Sequence, residues 1–126
     1  MTTSSVSPVT TELAGSETGI TLIIHAGAGS RGKHSTPERI AQVELDLQRA
    51  LDAGYQLLES GAPAHEAVVA AIHVMEDAPE FNAGRGAALT SDGIAQMDAC
   101  LMTGDGEVGA VTGVSTVKNP IDAARA

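Results

Sequence analysis

The sequence holds a single cysteine, Cys100. No disulfide can form within the chain, and the expectation is a reducing, cytoplasmic compartment. Tryptophan is absent, and Tyr55 and Phe81 are the only aromatic residues. A core with so few rings has to be assembled from Ala, Val, Leu, Ile and Met, which suits closely packed layers. Basic residues are also scarce: 7 Lys and Arg against 16 Asp and Glu, a formal net charge of −9. That balance argues against nucleic acid or an anionic membrane as partner, because phosphates need cations to neutralise them. The acids are scattered and read as a solvated surface. No apolar run approaches the length that spans a bilayer. Residues 1–19 lack both the basic start and the apolar centre of a signal peptide. Being rich in Ser and Thr, they are expected to form a disordered tail ahead of one domain over residues 20–126.

The apolar residues that are present fall into periodic blocks. Residues 20–26, ITLIIHA, are β-branched and apolar on both faces, the pattern of a buried strand. Gly27, Gly29 and Gly32 then spell G-x-G-x-x-G. A dinucleotide loop would open a helix directly onto a pyrophosphate. Here Lys33 to Pro37 intervene before the first helical turn, and no second βαβ unit follows. The lone fingerprint is weak. A helix is announced at STPER, where Ser35 or Thr36 can cap, Pro37 fits the first turn and Glu38 suits the positive end of the dipole. Its apolar stripe runs through Ile40, Val43, Leu47, Leu51 and Leu58, and Gly61 stops it. Pro63 opens a second helix with Ala64, Val68, Ala71, Ile72 and Met75 on one side, and Pro79 closes it.

Beyond Pro79 the period changes. Short alternating runs separated by Asp92-Gly93 and Asp105-Gly106 predict a meander of three strands, at about Ala87–Thr90, Ile94–Thr103 and Val108–Val117. A sheet face rich in Val108, Ala110, Val111, Val114 and Val117 is expected to lack cover. Asn119 is placed to cap and Pro120 to begin a last helix, which has room for less than two turns before Ala126. So short a helix does not hold together alone in water. Either it packs hard on the body or the sequence is a piece of something longer, and the latter is the preferred reading.

Several residues invite a chemical reading and resist it. HEAVVAAIH is not a zinc helix, because the second histidine of H-E-x-x-H would fall at Val69. His65 and His73 read as surface or boundary residues, and His25 as a structural hydrogen-bonding group. Cys100, between Ala99 and Leu101, reads as a small buried hydrophobe. The stretch from Met75 to Ala99 carries more information. Phe81 to Gly86, FNAGRG, makes a compact loop in which two glycines permit close backbone approach. Such a loop can turn carbonyls inward onto a hard cation, or can simply join a helix to a hairpin.

Taken together, IIHAGAGS, FNAGRGAALTSDG and MDACLMTGDGEVGAVTGVSTVKNPIDAARA resemble the plant-type L-asparaginase/isoaspartyl peptidase family of N-terminal-nucleophile hydrolases. The likeness runs in order from about Ile20 to Ala126, with Ala26 where the family carries a glycine. It implies an α/β fold, the αββα sandwich of N-terminal-nucleophile hydrolases, incomplete in this chain. It implies hydrolysis of the side-chain amide of asparagine or of isoaspartyl dipeptides by a threonine that self-cleavage turns into a new N-terminus. That nucleophile sits in a Gly-Thr-x-Gly-type motif, which these residues lack, so no catalytic residue is expected here and the chain alone is expected to be inactive. By the same resemblance, Gly27 leaves room beside the threonine and Asn82 helps to position it. The backbone carbonyls of Met75, Glu76, Ala78, Phe81, Ala83 and Arg85 would hold a structural sodium ion, with no cofactor for catalysis. The implied partners are the small-molecule substrate, the missing C-terminal (β) part and a second αβ unit. A noncatalytic fragment or a binding module with the same partial fold is the alternative.

Overall fold

The computed structural model describes residues 19–26 and 36–126. Helix α1 spans Pro37–Glu59 and α2 spans Ala64–Asp77. A 3-10 turn follows at Gly84–Gly86, then strands β1 (Met97–Met102) and β2 (Val108–Val114), and finally helix α3 (Pro120–Arg125). Thr36 is the N-cap of α1: its hydroxyl accepts from the Arg39 N–H at 3.3 Å, with Pro37 in the first turn as expected. The alternative cap, Ser35, lies outside the described residues. At the other end Ala62 N–H donates to the Leu57 carbonyl (2.9 Å) and Gly61 N–H to that of Leu58 (3.0 Å), with Gly61 at φ +83°. This reciprocal pair is the Schellman arrangement, and a left-handed glycine makes it cheap.

The two helices form a hairpin, and the expected stripe on α1 faces inward from Val43 onward: Leu51 is buried, and Val43, Leu47 and Leu58 are half-buried. Asp46, Ala50, Leu51 and Gly54 are the buried positions, whereas Ile40 is 48% exposed. On α2 the buried positions are Ala67, Val69, Ala71 and Glu76, and Val68 faces outward. Small residues decide the crossing because they allow backbones to approach. A Cβ added at Gly54 would lie 2.6 Å from Leu22 Cδ2 and 2.8 Å from the Ala67 carbonyl oxygen. Gly54→Ala gains about 1 kcal/mol of helix propensity and loses about 1–3 kcal/mol to overpacking. The expected outcome is a Tm lower by about 4–8 °C, read by circular dichroism. A Tm raised by the propensity gain would mean that α1 and α2 separate without cost.

The meander is shorter than expected. Its first strand is reduced to one bridge, Leu89 with Ala95, and the other two narrow to β1 and β2, which pair antiparallel. Residues 20–26 enter no strand pairing among the described residues; Leu22 is buried against α1, and Ile23 is 71% exposed. Both Asp-Gly turns form as expected, and they are built alike. In TSDGI the Thr90 N–H donates to the Ile94 carbonyl and Gly93 N–H to that of Thr90; in TGDGE, Thr103 with Glu107 and Gly106 with Thr103 do the same. Each threonine hydroxyl also accepts from the residue four positions on, Ile94 or Glu107. Gly93 and Gly106 take φ +76° and +87°, the left-handed corner that a three-residue hairpin requires.

Alternation along the hairpin sorts it into two faces. Met97, Ala99, Leu101, Gly109 and Val111 turn toward the helices, and Leu101 joins Val69 and Ile121 in the core, with Ile72 packed against them. Cys100, Met102, Val108 and Ala110 lie on the open side, Met102 and Val108 facing each other across the strands at 68% and 64% exposure. The expected uncovered face is therefore split. Val108 and Ala110 are open, while Val111, Val114 and Val117 are half-buried. Cys100 is likewise exposed rather than buried, because its neighbours Ala99 and Leu101 take the inward positions. The register shifts between Met97 and Ala99, where Asp98 faces Thr112 and Gly113 together. Asp98 Oδ1 accepts from the Gly113 N–H (2.7 Å) and the Thr112 hydroxyl (2.8 Å), supplying partners that the interrupted ladder cannot. Those two bonds, that to Gly113 first, hold the Asp98 carboxyl below its ordinary range.

Candidate functional site

The chain leaves α2 through a loop that several weak restraints hold in one shape. Ala78 N–H closes the helix on the Val74 carbonyl at 3.2 Å, and the backbone then turns extended at Ala78 ahead of Pro79. Glu80 pairs with Arg39 of α1, and Phe81 is buried. Asn82 Oδ1 accepts from the Ala88 N–H at 2.7 Å, closing the loop from residue 82 to residue 88 across the 3-10 turn. Inside it Gly86 N–H donates to the Ala83 carbonyl and Ala87 N–H to that of Gly84.

Two glycines make this shape possible. Gly84 has φ +49°, and a Cβ there would overlap the carbonyl oxygen of Glu76. At Gly86 it would overlap the Phe81 carbonyl oxygen and lie 2.6 Å from that of Pro79. Main-chain oxygens from the end of α2 and from the loop thus crowd onto the glycine turn. Of the expected carbonyl set, Glu76 and Phe81 are brought there. Ala83 and Arg85 belong to the turn or its cap, and Met75 and Ala78 flank the end of α2. Pro79, whose oxygen also meets the turn, was not in that set. Hard cations take oxygen ligands, and main-chain oxygens depend little on side-chain identity.

Glu76 connects this loop to the last helix. It is only 4% exposed, and its carboxylate accepts from the Ile121 N–H (3.1 Å) and the Asn119 amide (3.0 Å). The expected cap is therefore corrected: the Asn119 side chain caps nothing and donates instead to Glu76 and Asp77, while Glu76 from α2 satisfies the start of α3. Burial pushes the Glu76 carboxyl above its ordinary range, against the pull of those two bonds. Asp77 is held low, first by Lys118 and then by Asn119. Further along, His73 Nε2 meets Asp122 at 2.8 Å and Arg125 donates to Glu66 at 2.6 Å. Polar pairs thus bind α2 to α3 antiparallel along their whole contact. The spacing of Val69, Ile72 and Glu76 was the available signal, since it puts a carboxylate on an apolar helical face.

Of the other expected residues, Gly27 lies outside the described residues, as do Gly29 and Gly32. His25 is exposed. Among the described residues no group of three or more His, Cys, Asp or Glu side chains could hold a metal ion, and no helix is long and apolar enough to cross a membrane.

A family model described as asparaginase matches residues 18–126. The chain is 47% identical over 107 residues to the plant-type L-asparaginase of Pyrococcus abyssi, covering 84% of this chain and 34% of that protein. It is 40% identical over 107 residues to the isoaspartyl peptidase of Escherichia coli, covering 82% and 33%. It is 40% identical over 105 residues to the isoaspartyl peptidase/L-asparaginase of Bos taurus, with the same shares. The chain thus spans about a third of the length of the curated relatives it matches.

Proposed function

The chain belongs to the asparaginase family, and on that premise we propose that it forms the N-terminal part of a hydrolase acting on the side-chain amide of L-asparagine or on isoaspartyl dipeptides. The observation that carries the reading is the loop at residues 82–88, folded around Asn82 and two glycines inside a match that runs through nearly all of the described chain. The nucleophile in this proposal is a threonine outside these 126 residues, freed by self-cleavage, whose own α-amine takes the hydroxyl proton. Its oxygen attacks the amide carbon, ammonia or the peptide amine departs, and water releases aspartate from the resulting ester. Asn82 has its oxygen committed to Ala88 and its amide N–H groups left to orient a neighbouring hydroxyl. The setting proposed is the αββα sandwich, completed by a β part and paired with a second αβ unit in the cytoplasm. The noncatalytic alternative shares this partial fold.

A fusion of this chain to the remaining residues of the Pyrococcus abyssi relative separates the two. The fusion is expected to cleave itself and release ammonia from L-asparagine or the amine product from an isoaspartyl dipeptide, while the 126-residue chain stays at buffer background. Hydrolysis by the shorter chain would remove the threonine from its proposed place. A self-cleaved fusion inert toward both substrates would favour the noncatalytic reading.

The same loop is proposed to hold a structural sodium ion through the carbonyls of Met75, Glu76, Ala78, Phe81, Ala83 and Arg85, a role for which the oxygens gathered at Gly84 and Gly86 fit. The ion takes part in no chemical step; it would fix the loop that carries Asn82. The chain is expected to melt several degrees higher in sodium chloride than in choline chloride at equal ionic strength, since a ligand of the native state stabilises it by mass action. Gly84→Val is expected to lower the Tm and erase the difference. Equal melting of the unaltered chain in both salts would remove sodium from the proposal.

A further inference from the structure

We draw no further inference here: the strongest candidate, the exposed apolar patch on the open face of the β1–β2 hairpin around Cys100, Met102, Val108 and Ala110, carries nothing because nothing in the structure shows what covers it.

Discussion

Gly109→Val is expected to cost about 3 kcal/mol or more, the upper end of what overpacking does in a well-filled interior. Gly109 lies on the inward face of β2, and a Cβ there would overlap the carbonyl oxygen of Ala124 in α3. The obstacle is backbone, so no rotamer change relieves it, and shortening the Ala124 side chain does not help. Strand and helix must part, and Ile121, 1% exposed between them, loses its packing. Gly104→Val is the control: the site is open, with no atom within 4 Å and no left-handed dihedral, and the expected change is within about 0.5 kcal/mol. Urea denaturation of the two variants reads the difference. Equal midpoints would show that α3 does not rest on β2 in solution.

Glu76→Ala is expected to destabilise by about 2–4 kcal/mol, because it strips the acceptor from the buried Ile121 N–H and from the Asn119 amide while opening a gap beneath α3. Glu76→Gln keeps an acceptor for Ile121 and removes the buried charge, so its loss is smaller. The pH dependence separates the contributions. The folded state raises the Glu76 pKa above the ordinary 4.5, so it binds the proton more tightly than the unfolded chain does. Stability from this group is therefore greatest below 4.5 and declines as pH rises through the folded value, then stays level. Asp77 and Asp98 act the other way: their lowered values contribute stability above about 3.8 that is lost as pH falls. Denaturation midpoints followed from pH 4 to 7 are expected to fall in the parent and to stay flatter in Glu76→Gln. Parallel curves for the two would show that the carboxylate is not buried.

What could be read in advance were features that a few neighbouring residues settle by themselves. Thr36 and Pro37 start α1, Gly61 stops it, Pro63 and Pro79 bracket α2, and two Asp-Gly pairs set the hairpin corners. The family motifs were equally legible, since they lie in order along one chain. The features that escaped depend on partners far away in sequence. ITLIIHA has strand composition, yet a ladder needs a neighbour, and the described residues pair only β1 with β2 and Leu89 with Ala95. Asn119 looked like a cap because its own neighbours suit one; the group that caps α3 is Glu76, 45 positions from Ile121. On α1 the expected stripe faces inward from Val43 to Leu58 and only Ile40 at its start is exposed; Ala50 and Gly54, buried beside Leu51, are small positions that an apolar stripe does not mark.

The two-against-one pairing at Asp98 has a consequence for the phase of everything that follows it. Side chains along an unbroken strand keep an even count between positions on the same face. Val111 is inward, so an uninterrupted β2 would next send Gly113 and Ser115 to the helices and Val114 to the open side. The added residue makes the count odd: Val114 comes opposite Met97 and both turn inward. Asp98 thus guards a frame as well as two hydrogen bonds: removing Gly113 would leave Thr112 alone opposite it, with Val111 and Val114 an even count apart and both still facing the helices.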